Sequence, residues 1–279
     1  MKTNILILIF SCLFGAFLTF RTQSVAVKGK LMCGSEPAKG ILVKLIDDDG
    51  FNVPDPDDNM GQTKTSNDGS FSLNGSTAEL SSIEPELKIY HDCNDEHKPC
   101  LRRWLIRIPS RYISDGENPQ QVMDLGTLNL EKNFIMKLLL FCVLPLLMAR
   151  PETAKKTSGT QSISVKGVLR CGSKPAKGVL IKLIDEDFGQ DTDDMLGRVH
   201  TDENGTFELK GHTTEFTAID TSLSIYHDCN DGNTPCQRRW RFEIPSKYIS
   251  TGETPKKTFD IGTWNLEAIL PREKHDCDH

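Results

Sequence analysis

The sequence predicts an all-β protein in which two β-sandwich domains follow one another, and three observations carry this prediction. The chain repeats itself, because LKIYHDCNDEHKPCLRRWLIRIP at 87–109 and LSIYHDCNDGNTPCQRRWRFEIP at 223–245 are identical at 15 of 23 positions. Within each copy, apolar and polar residues alternate over short segments, as half-buried strands require. Turns rich in Gly, Pro, Asn and Asp separate these segments, a pattern typical of a β-sandwich.

The repeat extends over two units of domain size. VKGKLMCGSEPAKGILVKLIDDD at 27–49 matches VKGVLRCGSKPAKGVLIKLIDED at 165–187, and DLGTLNLE at 124–131 matches DIGTWNLE at 260–267. Equivalent positions are 138 residues apart before an acidic loop and 136 apart after it, so the units differ there by two residues. Each unit spans a little over 100 residues, the size of a whole domain rather than of a solenoid repeat.

Strands are predicted in the same order in both units. In the first, apolar residues of one parity are Val25 and Val27, Ile41, Val43 and Leu45, Phe71 and Leu73, Leu87 and Ile89, and Trp104, Ile106 and Ile108. The last of these segments recurs in the second unit as Trp240, Phe242 and Ile244. Short helices are expected only near 110–116 and 246–252.

Two segments have the form of a secretion signal. Lys2 precedes the apolar run ILILIFSCLFGAFLTF at 5–20, and we predict a cleaved signal peptide over 1–20. MKLLLFCVLPLLMARPETA at 136–154 has the same form in the middle of the chain. Its apolar run is shorter than the roughly 20 residues of a membrane span, and too apolar for an exposed linker.

The domain organisation follows from the repeat and these segments. We predict a first domain over 24–133, an internal signal-like segment over 136–154 and a second domain over 160–279. The first domain lacks the C-terminal tail of the second. We interpret the chain as a fusion of two adjacent genes, each encoding a signal peptide and one domain. The alternative is a two-domain precursor that is cut at the internal segment.

Several blocks shared by both units resemble one protein family. VKGxLxCGSxPAKG, IYHDCND and PCxRRW are similar to the nematode transthyretin-like family, and the resemblance covers both units almost end to end. It implies two tandem copies of an immunoglobulin-like (prealbumin-like) β-sandwich similar to transthyretin. It also implies a secreted protein of the extracellular region or cell surface.

Local disulfides are predicted in each unit. CNDEHKPC and CNDGNTPC place a cysteine on either side of a polar loop, which predicts the bonds Cys93–Cys100 and Cys229–Cys236. A secreted protein enters an oxidising compartment, in which such bonds form.

The remaining cysteines predict an asymmetry between the units. Spacing and the family resemblance imply a Cys171–Cys277 bond, although four cysteines allow three connectivities. The first unit lacks the tail that would carry the equivalent of Cys277, so Cys33 is predicted to be unpaired.

No metal, cofactor or catalytic residue is predicted. His91, Cys93, His97 and Cys100 are zinc-ligand types within ten residues. However, oxidised sulfur cannot bind zinc as thiolate, and the second unit lacks the second of these histidines. We therefore favour a disulfide loop with incidental histidines.

Polar loops suggest two further kinds of site, for a cation and for glycosylation. The acidic loops at 46–59 and 184–194 could hold Ca²⁺, but their Asp spacing does not match an EF-hand, and solvated loops are favoured. Asn74 and Asn204 begin Asn-x-Ser/Thr glycosylation sequons that look turn-like and occupy non-equivalent positions.

The IYHDCND motif supplies candidate ligand contacts. Tyr90, His91, Tyr226 and His227 combine groups that are capable of acid–base chemistry, but no nucleophile stands in a fixed relation to either histidine. A satisfied histidine at the sheet rim is favoured, with ligand contact as the alternative.

Composition and motifs together predict a binding role. The net charge of −6 and the absence of concentrated Lys and Arg argue against nucleic acid as a partner. We expect a secreted, non-enzymatic extracellular module that recognises a protein, a cell-surface lipid or a small apolar ligand. One alternative is a transthyretin-type small-molecule carrier. Another is a 5-hydroxyisourate-hydrolase-like enzyme, whose HVLD-like and YRGS segments do not occur here.

Overall fold

The computed structural model describes residues 20–48, 58–94, 100–131, 159–186 and 193–278. The signal-like segment at 136–154 lies outside these ranges, as does the predicted signal peptide at 1–20 except for Phe20. Those two predictions, and the domain limits that depend on them, stay predictions.

The first unit is a two-sheet sandwich. Its strands are β1 (Arg21–Cys33), β2 (Glu36–Pro37), β3 (Leu42–Asp47), β4 (Asp58–Lys64), β5 (Ser70–Glu79), β6 (Pro85–His91), β7 (Arg102–Arg107), β8 (Ser114–Asp115) and β9 (Val122–Asn129). In one sheet β1 lies between β5, which is antiparallel to it, and β9, which is parallel, while β2 and β8 also pair with β1. In the other sheet the order is β4-β3-β6-β7.

The second unit repeats this arrangement and adds one strand. Its strands are β10 (Gly159–Cys171), β11 (Lys174–Pro175), β12 (Leu180–Asp185), β13 (Asp194–His200), β14 (Thr206–Glu215), β15 (Thr221–His227), β16 (Gln237–Glu243), β17 (Ser250–Thr251), β18 (Thr258–Asn265) and β19 (Lys274–Asp276). The added strand β19 comes from the C-terminal tail and pairs with β16. The all-β prediction of tandem sandwiches is confirmed.

Alternation along the strands builds the core, as the sequence predicts. Val43, Leu45, Leu87 and Ile89 on β3 and β6 are fully buried. The lysines between them are half-buried and lie on the other face of the sheet. The predicted short helices are 3₁₀ turns at Ser110–Tyr112 and Ser246–Tyr248. No helix in the described part of the chain is long and apolar enough to cross a membrane.

The two units share one sheet. β9 and β18 pair antiparallel, so that ten strands form a continuous sheet across the junction. The tail of the second unit also touches the other sheet of the first unit, because the backbones of Arg107 on β7 and Ile269 in the tail exchange hydrogen bonds of 2.9 and 3.1 Å. This junction brings residues of both units to one surface.

The disulfide pairing differs from the prediction. Cys33, at the end of β1, is bonded to Cys93, which follows β6, and Cys171 is bonded to Cys229 in the same way. In both pairs the Cα atoms are 5.7 Å apart, within the range that a disulfide spans. The predictions of a Cys93–Cys100 bond and of an unpaired Cys33 are therefore wrong. The reason is that each bond joins the two sheets, and spacing along the chain does not show which strand ends meet.

The tail cysteine pairs with the loop cysteine. Cys277 is bonded to Cys236, because β19 runs back along β16. The predicted Cys171–Cys277 and Cys229–Cys236 bonds are therefore wrong as well. The residue equivalent to Cys236 in the first unit is Cys100, which is exposed. The tail that the first unit lacks therefore corresponds to the disulfide partner of Cys100 rather than to that of Cys33.

Candidate binding groove at the junction of the units

Three of the four predicted ligand contacts lie in the core. His91 and His227 are 0% and 2% exposed, and Tyr226 is 3% exposed. Tyr90 is half-buried, and the Nζ atom of Lys44 lies 5.8 Å from its ring centroid. For the two histidines and Tyr226 the alternative of ligand contact is wrong. The rim position is also wrong, because the histidines continue the buried parity of their strands into the sandwich.

The environment of His227 removes it from acid–base chemistry. Its ring packs edge-to-face on Trp240, with centroids 5.1 Å apart. Burial, followed by the charges of Arg238 and His275, lowers the pKa of His227 to about 3. The imidazole is therefore neutral near pH 7, and neither ring nitrogen has a hydrogen-bond partner among the described residues. A ring enclosed in this way is a structural residue.

Among the described residues, groups of possible metal ligands occur at one equivalent position in each unit. In each unit a buried glutamate, Glu131 or Glu267, lies beside the disulfide that joins the sheets, with the three donor atoms within 4.8 Å of one another. The sulfurs are oxidised in both units, so they are not thiolate ligands. His97 and most of both acidic loops lie outside the described residues.

A groove of about 760 Å³ lies at the junction of the two units. Residues of β1, β4, β5 and β9 line it from the first unit, and Arg170 on β10 and Thr263 on β18 line it from the second. The parallel pairing of β1 and β9 shifts register between Lys28 and Lys30, so Gly29 sits at an irregularity in the groove wall. The groove is complete only when both units are present.

The groove carries an excess of positive charge. Its lining includes Lys28, Lys30, Lys64 and Arg170 against one carboxylate, Asp124. Asp124 is shared, since its Oδ2 lies 3.7 Å from Lys28 Nζ and its Oδ1 lies 3.4 Å from Arg170 Nη2. Asp124 therefore partly neutralises two cations. Lys30 and Lys64 add net positive charge to the groove, although the total charge of the chain is −6.

A second carboxylate lies close to the groove. Asp68 interacts with Lys30, and hydrogen bonds from Ser66 and Ser70 hold the pKa of Asp68 below its usual range. Asp68 is therefore ionised near neutral pH and reduces the positive excess without cancelling it.

The equivalent surface of the second unit has the opposite charge. At the positions of Lys28, Lys30, Lys64, Ser66, Ser72, Asp124 and Arg170 it carries Lys166, Val168, His200, Asp202, Glu208, Asp260 and Met32. One lysine thus faces three carboxylates there. Since the two backbones are the same, the cationic groove is a property of the side chains of the first unit and of Arg170.

Sequence reasoning missed this groove because its cations come from three different strands in two units. They are dispersed along the chain and meet only through strand pairing and the junction. One available signal was the charge difference between the two copies at 30 and 168 and at 64 and 200.

Both predicted glycosylation sites are exposed. Asn204 lies in a turn, where its backbone N–H donates to Asp202 Oδ1 at 2.9 Å. Asn74 lies within strand β5 rather than in a turn, so that part of the prediction is wrong. Glycosylation itself stays a prediction at both positions.

Comparison with known proteins defines the family. A sequence model of the transthyretin-like family matches residues 28–109 and 166–245, once in each unit. The chain belongs to the transthyretin-like family.

Individual relatives correspond to one unit each. Transthyretin-like protein 33 of Caenorhabditis elegans is 52% identical over 120 residues, which are 43% of this chain and 84% of the relative. Transthyretin-like protein 5 of the same organism is 49% identical over 120 residues, 43% of this chain and 86% of the relative. These relatives are therefore about one unit long.

Solved structures add little. Shaft pilin SpaA from Lactobacillus rhamnosus GG aligns with 90% of this chain and 100% of its own length. The identity is 10% and the TM-score is 0.21, so the alignment carries no argument about fold or function.

Proposed function

We propose that the protein is a secreted, non-enzymatic binding module of the extracellular space, and that its basic groove takes an anionic ligand. The charge difference between the two copies carries this proposal. On the same backbone, one unit presents three lysines that are joined in the groove by Arg170 of the other unit, whereas the equivalent surface of the second unit is rich in carboxylates. A structural requirement of the fold would have placed the same charges in both.

Secretion is supported by the cysteine chemistry. Each unit joins its two sheets by a disulfide, and such bonds persist in oxidising compartments. The signal-like form of 1–20 and 136–154 favours the same compartment.

A binding role is favoured over catalysis by the position of the acid–base candidates. The histidines of both IYHDCND motifs are enclosed in the core and are not among the residues that line the groove. The groove itself presents amines and a guanidinium, which bind anions electrostatically and through hydrogen bonds.

The ligand class follows from the groove lining. Four cationic side chains suit phosphate or sulfate groups, carried either by a free molecule or by the headgroups of a lipid surface. A small apolar ligand, as a transthyretin-type carrier would hold, is less suited to a groove with this many charged side chains. We expect no role for nucleic acid.

The test uses the whole chain and a pair of substitutions copied from its own second unit. Lys30→Val with Lys64→His removes two groove cations in favour of residues that the same positions hold in the other copy. Lys39→Val with Lys177→His makes the same change at exposed positions outside the groove.

Binding is measured to inorganic pyrophosphate by calorimetry and to phosphatidylcholine vesicles with or without phosphatidylglycerol by flotation. We expect affinity for at least one anionic probe to fall about tenfold or more in the groove variant, and to change less than twofold in the control. The affinity should also weaken as salt rises. Binding of neither anionic probe, or equal losses in both variants, would overturn the proposal.

The alternatives have their own readouts. Saturable binding of a thyroid-hormone-like ligand that the groove substitutions do not affect would favour the carrier. Turnover of 5-hydroxyisourate would favour the enzyme.

A further inference from the structure

A second cavity lies on the four-stranded sheet of the first unit, on the face turned away from the core. It has a volume of about 700 Å³ and is lined by residues of β6 and β7, by Asp48 and by the tail segment 269–272 of the second unit. None of these residues lines the basic groove. The volume is in the range of small-molecule sites, which occur preferentially where two domains meet.

Alternation along β7 places three of the lining side chains in a row. Arg103, Leu105 and Arg107 share one parity and line the cavity, whereas Trp104 and Ile106 have the other parity and are buried in the core. At about 3.3 Å per residue, the two arginines lie about 13 Å apart along the strand. This wall of the cavity is therefore apolar in its middle and cationic at both ends.

The pairing of β6 with β7 places the carboxylates of the cavity at one end. Glu86 lies opposite Arg107 in the register of the two strands. Asp48 is at the same end, because its Oδ2 lies 3.1 Å from Arg107 Nη2. Lys88 and Arg103 lie farther along their strands, so the excess of positive charge lies toward the Arg103 end.

The tail of the second unit forms the opposite wall. Ile269 is held against β7 by two backbone hydrogen bonds with Arg107. The next turn is closed by Glu273, whose backbone N–H donates to the Leu270 oxygen at 3.2 Å and whose carboxylate accepts from the Leu270 N–H at 3.1 Å. The wall that the tail adds is therefore fixed by hydrogen bonds at both of its ends.

Arg272 lies on this turn in a strained backbone conformation. Its φ is +69°, in the left-handed region that few residues other than glycine adopt. Such strain persists only where the surrounding structure enforces it, and strained residues cluster at functional sites. Here the turn adds Arg272 and the apolar ring of Pro271 to the lining of the cavity.

The lining combines cations with apolar surface. Four cations stand against the two carboxylates, namely Lys88, Arg103, Arg107 and Arg272. The apolar surface comes from Leu105 in the first unit and from Ile269, Leu270 and Pro271 in the tail. A guanidinium is a planar fork that matches a carboxylate with two parallel hydrogen bonds.

The equivalent face of the second unit lacks this combination. It carries Ser224, Arg241 and Glu243 at the positions of Lys88, Leu105 and Arg107. Arg241 Nη2 lies 2.7 Å from Glu186 Oε1 and 3.6 Å from Asp193 Oδ2, so its charge is balanced within the unit. The fold therefore does not require the cavity, and one chain has one such site in the part that the structure describes.

We propose that this cavity binds a small amphipathic carboxylate. The carboxylate of the ligand pairs with Arg103, and its apolar body packs on Leu105 and Pro271. Arg272 adds positive charge from the other wall, and the carboxylates at the Arg107 end disfavour the reverse orientation. The site goes beyond the proposed function, because the groove and the cavity share no residue.

The experiment measures binding of decanoate to the full chain by calorimetry, with decanol as the neutral ligand of the same chain length. We expect saturable binding of one decanoate per chain with a dissociation constant of about 100 μM or tighter. Decanol should bind about tenfold or more weakly, because it cannot pair with a guanidinium. Absence of saturable decanoate binding, or equal affinity for decanol, would overturn the proposal.

Two substitutions locate the ligand in the cavity. Arg103→Ser removes the cation that pairs with the carboxylate, and Arg198→Ser makes the same change at an exposed arginine on β13, outside the cavity. Leu105→Arg copies the residue of the second unit and replaces the apolar middle of the wall by a further cation. We expect Arg103→Ser and Leu105→Arg each to weaken decanoate binding about tenfold or more, and Arg198→Ser to change it less than twofold.

Leu105→Arg separates this proposal from simple attraction of an anion. Added positive charge would strengthen binding if charge alone held the ligand, so tighter binding of decanoate by this variant contradicts the site. Equal losses in the two serine variants contradict it as well. Circular dichroism checks that each variant folds, and if Leu105→Arg does not fold, the comparison of Arg103→Ser with Arg198→Ser decides.

The groove variant keeps this test distinct from that of the proposed function. Lys30→Val with Lys64→His should bind decanoate as the unsubstituted chain does, because neither lysine lines the cavity. Loss of decanoate binding in the groove variant would place the ligand in the groove and overturn the assignment to the cavity.

Discussion

Arg238 offers a measurable test of how the tail stabilises the second unit. Its guanidinium is buried and donates five hydrogen bonds of 2.7–3.0 Å. Two go to the carboxylate of Glu273, and three go to backbone oxygens of Cys229, Leu266 and Ala268. One side chain thus joins the β15 end, β18 and the tail.

The expected cost of Arg238→Met follows from what is left behind. Removing one member of a buried ion pair costs about 3–5 kcal/mol. Glu273 keeps the Trp240 Nε1 and Leu270 N donors at 3.0 and 3.1 Å, and its side chain is 17% exposed, so it is not stranded. The backbone oxygens of Cys229, Leu266 and Ala268 lose a donor, so we expect a loss of at least about 3 kcal/mol in the free energy of unfolding.

Arg102→Met in the first unit is the matched control. Arg102 is half-buried, and its Nη1 contact with the Cys93 oxygen is 3.4 Å rather than the 2.9 Å of the equivalent bond from Arg238. The first unit also lacks the tail that carries Glu273. We expect Arg102→Met to cost less than Arg238→Met, because Arg102 is half-buried whereas Arg238 is 4% exposed.

Urea denaturation and hydrogen exchange together show which of the two units is destabilised. With a slope of about 2 kcal/mol per molar urea, the Arg238 substitution should lower the midpoint of the second unit by at least about 1.5 M. Exchange should accelerate in peptides covering 229–276 and not in peptides of the first unit. Equal losses in the two arginine variants would refute the idea that the tail network stabilises the second unit.

Further predictions concern the pH dependence of stability, the disulfide pairing and the internal signal-like segment. Because burial holds the pKa of His227 near 3 against its usual 6.5, the unfolded chain binds the proton first on acidification. The free energy of unfolding should then fall by up to about 4–5 kcal/mol between about pH 6.5 and pH 3. His227→Phe should reduce the slope of the free energy of unfolding against pH in this range. An unchanged slope would contradict the assignment of this pH dependence to His227. Peptide mapping without reduction should recover Cys33 linked to Cys93, and Cys33→Ser should cost about 4 kcal/mol by loop entropy; a peptide linking Cys93 to Cys100 would show the pairing to be wrong. Secreted native protein should yield no peptide spanning 131–157, and recovery of one would exclude both the gene fusion and a precursor cut there.

Much of the fold was accessible from local patterns. Alternation at Val43, Leu45, Leu87 and Ile89 predicted buried faces, because a strand sends successive side chains to opposite sides. His91 shares this parity, but we predicted it at the rim of the sheet rather than in the core. The prediction stopped at the rim because histidine is polar, whereas the packing against Trp104 made burial acceptable.

The candidate site was not accessible in the same way. Lys30 and Lys64 are 34 positions apart in the chain, and Arg170 belongs to the other unit. Their convergence depends on the register of β1 and on the junction between β9 and β18. Composition recorded only a mild net acidity, which averages over this local excess.

The sequence alone determined that the chain holds two copies of an all-β unit, which order their strands take and where glycine must turn the backbone. These features follow from alternation and turns among neighbouring residues, and from the repetition of the same segments in both units. Tertiary structure alone decided which cysteines pair, where the histidines lie and which cations share a groove. Each of these depends on distances between segments that are far apart along the chain, and spacing in sequence does not measure such distances.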